Sequence, residues 1–175
     1  MVRVLGPHTS RDWSVAAGGL AWSCWKTAAH VAHDLCAYAG QVAAEPTDGY
    51  LACDLMVRPA ASPQAILQVV LANGRLLANA LASTAPTARA WHFGTTDPAG
   101  FAAMGVGETL LHTYDIVGGL DISWSPPERL CALVLARLFP DAPRTNAAGA
   151  LLWATGRGDL QGHGRVTEWV WKAAV

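Results

Sequence analysis

Apolar residues recur at three- and four-residue steps over three long stretches of the chain, which is the signature of amphipathic helices. In the first stretch Trp22, Trp25, Ala29, Ala32, Cys36, Ala39 and Val42 share one face, and Pro46 to Gly49 end it. This predicts a helix over Trp22 to Ala44. Ser62 followed by Pro63 reads as an N-cap and a first-turn proline. The helix they open runs through Ile66, Leu67, Val70, Leu71, Leu77 and Leu81 to about Ser83. Asp97 and Pro98 repeat the same start signal. Phe101, Met104, Glu108, Leu111, His112, Asp115 and Ile116 then continue to a stop at Gly118 and Gly119. A shorter helix is expected from Ser125-Pro126-Pro127-Glu128 to about Leu138, closed by Pro140.

Between these stretches the pattern is weaker. Met1 to Gly19 reads as an extended lead-in with at most one short turn of helix. Tyr50 to Arg58 is either a short strand or irregular connection, and is taken as irregular. Trp91-His92-Phe93 is either strand-like filler or the rim of a pocket. In the C-terminal extension, 141–175, Ala150 to Ala154 predicts a short helix. Thr167 to Trp171 alternates, and fits a short terminal strand or a packed extension. With no internal repeat, residues 1–175 are expected to form a single, mostly α domain.

Composition narrows the function classes. Hydrophobic residues make up 52% and charged residues 14%, so the chain can build a packed core. A net charge of -1 without a basic patch argues against nucleic-acid binding. No uninterrupted apolar run approaches the roughly 18 residues of a membrane span, and Met1 to Ser10 lack a signal-peptide core. A cytoplasmic location is therefore expected. The four cysteines, at 24, 36, 53 and 131, form no CxxC pair and read as buried free thiols.

The chemistry is concentrated in a few residues. Glu108 and His112 are four apart on a predicted helix, so both side chains can reach one point. A carboxylate and an imidazole suit a divalent metal. Asp115, three residues further on, is positioned to accept an imidazole N–H. A third ligand has to come from elsewhere. His30 and His33 both lie on the Trp22–Ala44 helix, and residue chemistry alone does not choose between them.

Three segments resemble the DinB-like, mycothiol-dependent maleylpyruvate isomerase-like family, in particular its short actinobacterial members. Leu20-Ala21-Trp22-Ser23-Cys24 followed by His30-Val31 is similar to a motif in which a tryptophan precedes a metal-binding histidine by eight residues. Trp25 and His33 have the same spacing; the flanking Ala17-Gly18-Gly19 and Thr27 favour Trp22–His30. Glu108 to Asp115 resembles the family's E-x3-H-x2-D helix. Ala150 to Arg157 with Trp169 and Trp171 resembles its C-terminal segment. The resemblance implies a DinB-like four-helix bundle. Its first helix must be shortened or missing, since only 21 residues precede Trp22; an oligomeric partner, a homodimer at simplest, could cover the gap.

The resemblance also implies a divalent metal on His30, Glu108 and His112, with zinc the default and nickel or iron compatible. It implies a low-molecular-weight thiol, mycothiol in type, acting on a small-molecule substrate by S-transfer or cis–trans isomerisation. Asp115 would orient a histidine and His33 would move protons. Arg157 and Arg165 are candidates for a carboxylate or sugar contact, and Arg157 is the one expected to bind the cofactor. Two other readings stay open: a thiol-independent metal-assisted hydrolase, lyase or cyclase, and a non-catalytic metal- or ligand-binding protein.

Overall fold

The computed structural model describes residues 1–175. Its order is α1 (Val2–Leu5), a 3-10 turn (Gly6–His8), α2 (Cys24–Ala44), α3 (Pro63–Ser83), β1 (Ala90–Trp91), β2 (Thr95–Thr96), α4 (Pro98–Gly119), α5 (Glu128–Leu138) and α6 (Ala147–Ala154). The protein is mostly helical, as the periodicity predicts. The long helices begin where side chains satisfy their first free N–H groups. Ser23 accepts from Lys26 N, Ser62 from Ala65 N and Asp97 from Gly100 N. The first of these moves the start of α2 two residues past Trp22. At α6, Asn146 caps Gly149 N, and the Glu128 carboxylate takes the N–H groups of Ala147 and Ala148 at 2.7 and 3.2 Å.

The core is one continuous cluster, and α4 is its centre. It packs against α2 and α3 on one side and α5 on the other, and α6 packs on α5. The first helix of the bundle is a single turn, α1. Its Leu5 is fully buried and the turn touches α3 and α4. The rest of the lead-in is tied to the end of α4 rather than left loose. Cys24 N donates to Val15 O and Ala17 N to Trp22 O, which fold the lead-in against the start of α2; the Arg11 guanidinium then donates to Leu120 O and Cys24 Sγ to Ile116 O at the end of α4.

That contact explains Gly119. A Cβ there would overlap the Ala16 carbonyl and lie 2.8 Å from Cys24 Sγ. At Gly118 the nearest foreign atom would be Gly18 Cα, at an ordinary 3.5 Å. Gly119→Ala is therefore expected to cost about 2 kcal/mol by overpacking. Gly118→Ala should be neutral or slightly stabilising, as alanine usually is in a helix. Thermal melts of both variants check this; equal melting temperatures would mean the lead-in does not dock on α4.

Two open alternatives are decided and one expectation is corrected. At Trp91 to Phe93 both readings hold: β1 and β2 form a small antiparallel hairpin with Ala90 opposite Thr96 and Trp91 opposite Thr95, and His92 and Phe93 line a cavity. Thr167 to Trp171 runs as a packed irregular extension; the tail pairs only at Ala174, opposite Thr96. Arg137 anchors it, donating to Asp97 Oδ1 at 2.8 Å and to Lys172 O and Ala173 O. Of the cysteines, Cys24 and Cys131 are buried, and burial pushes both thiols up to about 11. Cys36 is half-buried, and Cys53 is exposed. One helix, α3, is long and apolar enough to cross a membrane by length and composition. Gln68, Asn73 and Arg75 interrupt its apolar run. Here it packs on α2, with Asn73 Nδ2 donating to Ala32 O at 2.8 Å.

Candidate metal centre

α2 and α4 cross with polar side chains on their facing surfaces. From α4, Glu108 and His112 stand one turn apart, 7% and 8% exposed. From α2, His30 meets them. Glu108 Oε2 lies 3.1 Å from His112 Nε2 and 3.6 Å from His30 Nε2. The imidazoles of His30 and His112 meet edge to face, 5.0 Å between centroids. The three donor atoms lie within 4.8 Å of one another. Corners of a tetrahedron with bonds of 2.0–2.1 Å are separated by about 3.3 Å, so this spacing suits a zinc-sized ion.

The histidine of α4 is aimed by its neighbours. His112 Nδ1 donates to Asp115 Oδ2 at 2.9 Å, which leaves Nε2 for the centre. Asp115 is 4% exposed and is itself held by Arg157. Nε of Arg157 reaches Asp115 Oδ1 at 2.9 Å and Nη2 reaches Oδ2 at 2.9 Å, a two-pronged clamp. Arg157 Nη1 bonds the Thr155 carbonyl. Trp22 supports the other histidine, its ring 5.0 Å from that of His30 in a T-shaped arrangement.

In the metal-free chain these groups form an ionic ladder. Burial raises the Glu108 carboxyl, but hydrogen bonds and charge from His112 and His30 outweigh it and bring it down to about 2. Burial lowers His112, yet Asp115 and Glu108 together lift it to about 9. On α2, burial and the Glu108 charge raise Asp34 to about 6 against the pull of the histidines.

His33 is set apart from the three donors. Its Nδ1 lies 3.3 Å from the Leu55 carbonyl, and its Nε2 is 4.0 Å from both Asp34 Oδ1 and Asp54 Oδ1. It lines a second cavity of about 370 Å³ together with Tyr38, Tyr50 and His92. Arg165 stands 3.6 Å from Asp159, both exposed.

Sequence reasoning missed two contributors. Asp34 Oδ2 is 3.3 Å from His30 Nε2; its four-residue spacing from His30, the same as that of Glu108 and His112, is the signal that could have found it. Trp169 and Trp171 were noted only as part of a motif. They line the cavity of about 300 Å³ above the donors, with Leu20, Trp22, Leu111 and Arg157. Trp171 fits because Gly107 has no side chain: a Cβ there would come within 3.0 Å of the indole. A neighbouring cavity of about 650 Å³ shares Leu20, Arg157 and Trp169 with the first and adds Tyr114, Ser123 and Arg165.

No curated protein and no solved structure matches this chain. The model of the family described as "Mycothiol maleylpyruvate isomerase N-terminal domain" matches residues 1–117. That span covers the lead-in, the α2–α3 pair and nearly all of α4, including His30, Glu108 and His112; α5, α6 and the tryptophan tail lie beyond it. The chain therefore belongs to the mycothiol maleylpyruvate isomerase N-terminal domain family.

Proposed function

We propose that the protein is a metal-dependent enzyme that uses a low-molecular-weight thiol of the mycothiol type for S-transfer or isomerisation of a small electrophile. The observation that carries this reading is a donor set of two imidazoles and one carboxylate at the floor of a cavity. Three protein donors leave a position open, as in catalytic zinc sites. A divalent ion there supplies Lewis acidity, lowering the pKa of a thiol or polarising a carbonyl.

The chain's own residues do the rest. His30, Glu108 and His112 hold the ion, while Asp115 and Arg157 keep the His112 ring in one orientation. Leu20, Trp22, Trp169 and Trp171 line the cavity with apolar surface, and charge interactions are stronger beside such walls than in open water. The adjoining cavity suits the polar body of the thiol. Arg157 has two N–H groups beyond those that hold Asp115 and Thr155, and Arg165, Tyr114 and Ser123 share that wall. His33, whose Nε2 stands 4.0 Å from Asp34 Oδ1, is the group suited to carry protons.

The test is a metal count by mass spectrometry on protein prepared without chelator or nickel resin. The parent should hold about one divalent ion per chain. His30→Ala should lose it and His33→Ala should keep it. Cobalt-loaded protein should then gain a sulfur-to-cobalt absorption band with a free thiol and none with its S-methyl ether. Loss that tracks His33 would move the site to the other register, and a parent that takes up no metal would overturn the reading. A metal without a thiol band would leave thiol-independent chemistry or simple binding.

A further inference from the structure

His30 Nε2, the nitrogen that faces the centre, is contested by two carboxylates. Asp34 Oδ2 stands 3.3 Å from it and Glu108 Oε2 3.6 Å. Asp34 follows His30 by one turn of α2, so both project from the same face. Its side chain is only 16% exposed. In the metal-free chain the imidazole is the partner that draws Asp34 inward. Once the lone pair of that nitrogen is given to an ion, it offers Asp34 no hydrogen bond. A poorly solvated carboxylate would then face Glu108 without a partner, which is costly. His33 lies 4.0 Å from its other oxygen, so for Oδ2 the ion itself is the charge placed to satisfy it.

The distances agree with this. The separation of Asp34 from His30 equals the roughly 3.3 Å edge of a tetrahedral zinc site, and the two pairs among the three proposed donors, at 3.1 and 3.6 Å, bracket it. Asp34 stands outside the group of three in the metal-free chain. A short side chain with two rotatable bonds needs only to turn to join them. Its other oxygen faces His33, 4.0 Å away in the second cavity, so the carboxylate has a place to retreat to.

We propose that Asp34 is a displaceable fourth protein donor, closing the metal site at rest and yielding its position to the incoming thiol or substrate. This rests on the metal reading given above. It changes what the resting site is: four protein donors rather than three with a water.

The decisive measurement is a crystal structure of the zinc-loaded protein, located by anomalous scattering. An Asp34 oxygen within about 2.0–2.2 Å of the ion is expected. A chelator competition should show Asp34→Asn losing tenfold or more in zinc affinity. Asp34→Glu should recover part of it, and Asp54→Asn, at an exposed position, should lose none. A water in the fourth position with Asp34 beyond 3 Å overturns the proposal, even if Asp34→Asn binds more weakly, because a hydrogen-bonding neighbour would give that loss too. A parent that binds no zinc fails the metal reading itself, a separate result.

Discussion

Replacing Arg157 with alanine is expected to lower the melting temperature by about 6–12 °C and to weaken metal binding by about 10–100-fold. The first figure follows from the fate of Asp115. That carboxylate is 4% exposed and accepts both prongs of the Arg157 guanidinium. Removing the guanidinium leaves this buried carboxylate only the His112 ring as a partner, and losing one partner of a buried pair costs about 3 kcal/mol. A protein of this size loses roughly 2–4 °C per kcal/mol. The second figure follows from what Asp115 does next, since it holds the Nδ1–H of His112 at 2.9 Å. Outer-shell partners of ligating histidines are worth 10–100-fold in affinity. Arg157→Lys should fall between, because an ammonium cannot bond both oxygens in one plane. Arg165→Ala is the control: its partner Asp159 is exposed at 3.6 Å, and such pairs contribute at most about 1 kcal/mol. If Arg157→Ala melts no lower than Arg165→Ala, the clamp on Asp115 is not part of the stability of the site. The prediction also gives the C-terminal extension a role. Arg157 lies outside the span matched by the family model, so the His112 ring inside that span is oriented through Asp115 by a residue beyond it.

How much of this was legible beforehand depended on whether the information was local. The starts of α3 and α4 are written in Ser62-Pro63 and Asp97-Pro98, whose side chains and rings act within one turn. Glu108 and His112 were legible for the same reason, as a helix sets their proximity without help from the rest of the fold. His30 against His33 was not, because both lie on α2 and only the packing of α2 on α4 decides which one turns inward. The resemblance to a family favoured His30, and His30 is the one that meets Glu108. Asp34 was overlooked although its spacing from His30 repeats that of Glu108 and His112; a carboxylate on one helix says nothing until the facing helix is in register. The hairpin failed for a similar reason. Two-residue strands carry no period, and theirs is held by distant groups: Gln41 Nε2 donates to Trp91 O at 2.8 Å, and the tail closes on Thr96. The alternation of Thr167 to Trp171 fits either a strand or a packed extension, and it is the extension that forms, with Trp169 and Trp171 on Phe139 and over the cavity.

Metal affinity is expected to rise about fiftyfold between pH 7 and pH 9, with about one proton released per ion bound at the lower end. In the metal-free chain His112 titrates near 9, because Asp115 and Glu108 more than offset the burial of the ring. At pH 7 its Nε2 carries a proton, and an ion must expel it. Glu108, brought down to about 2, is already ionised and releases nothing. Competition with a chelator across this range gives the slope, and calorimetry in buffers of different ionisation enthalpy counts the protons. The stability of the metal-free protein should run the other way. A histidine raised above its unfolded value of about 6.5 contributes fully below that pH, and the contribution is lost as pH climbs through about 9. Glu108 contributes above about 4.5 and fails only in acid, as pH falls toward 2. Asp34 has the opposite sign: raised to about 6, it costs stability as pH rises from about 3.8 to 6 and nothing further above that. Between pH 6.5 and 9 only His112 of these three is changing. The metal-free melting temperature should therefore fall over that interval while the metal-loaded one holds, and the gap between them should widen. A gap that stays constant, with no proton released at pH 7, would mean that His112 is already neutral and that the Glu108–His112 ion pair does not hold the empty site together.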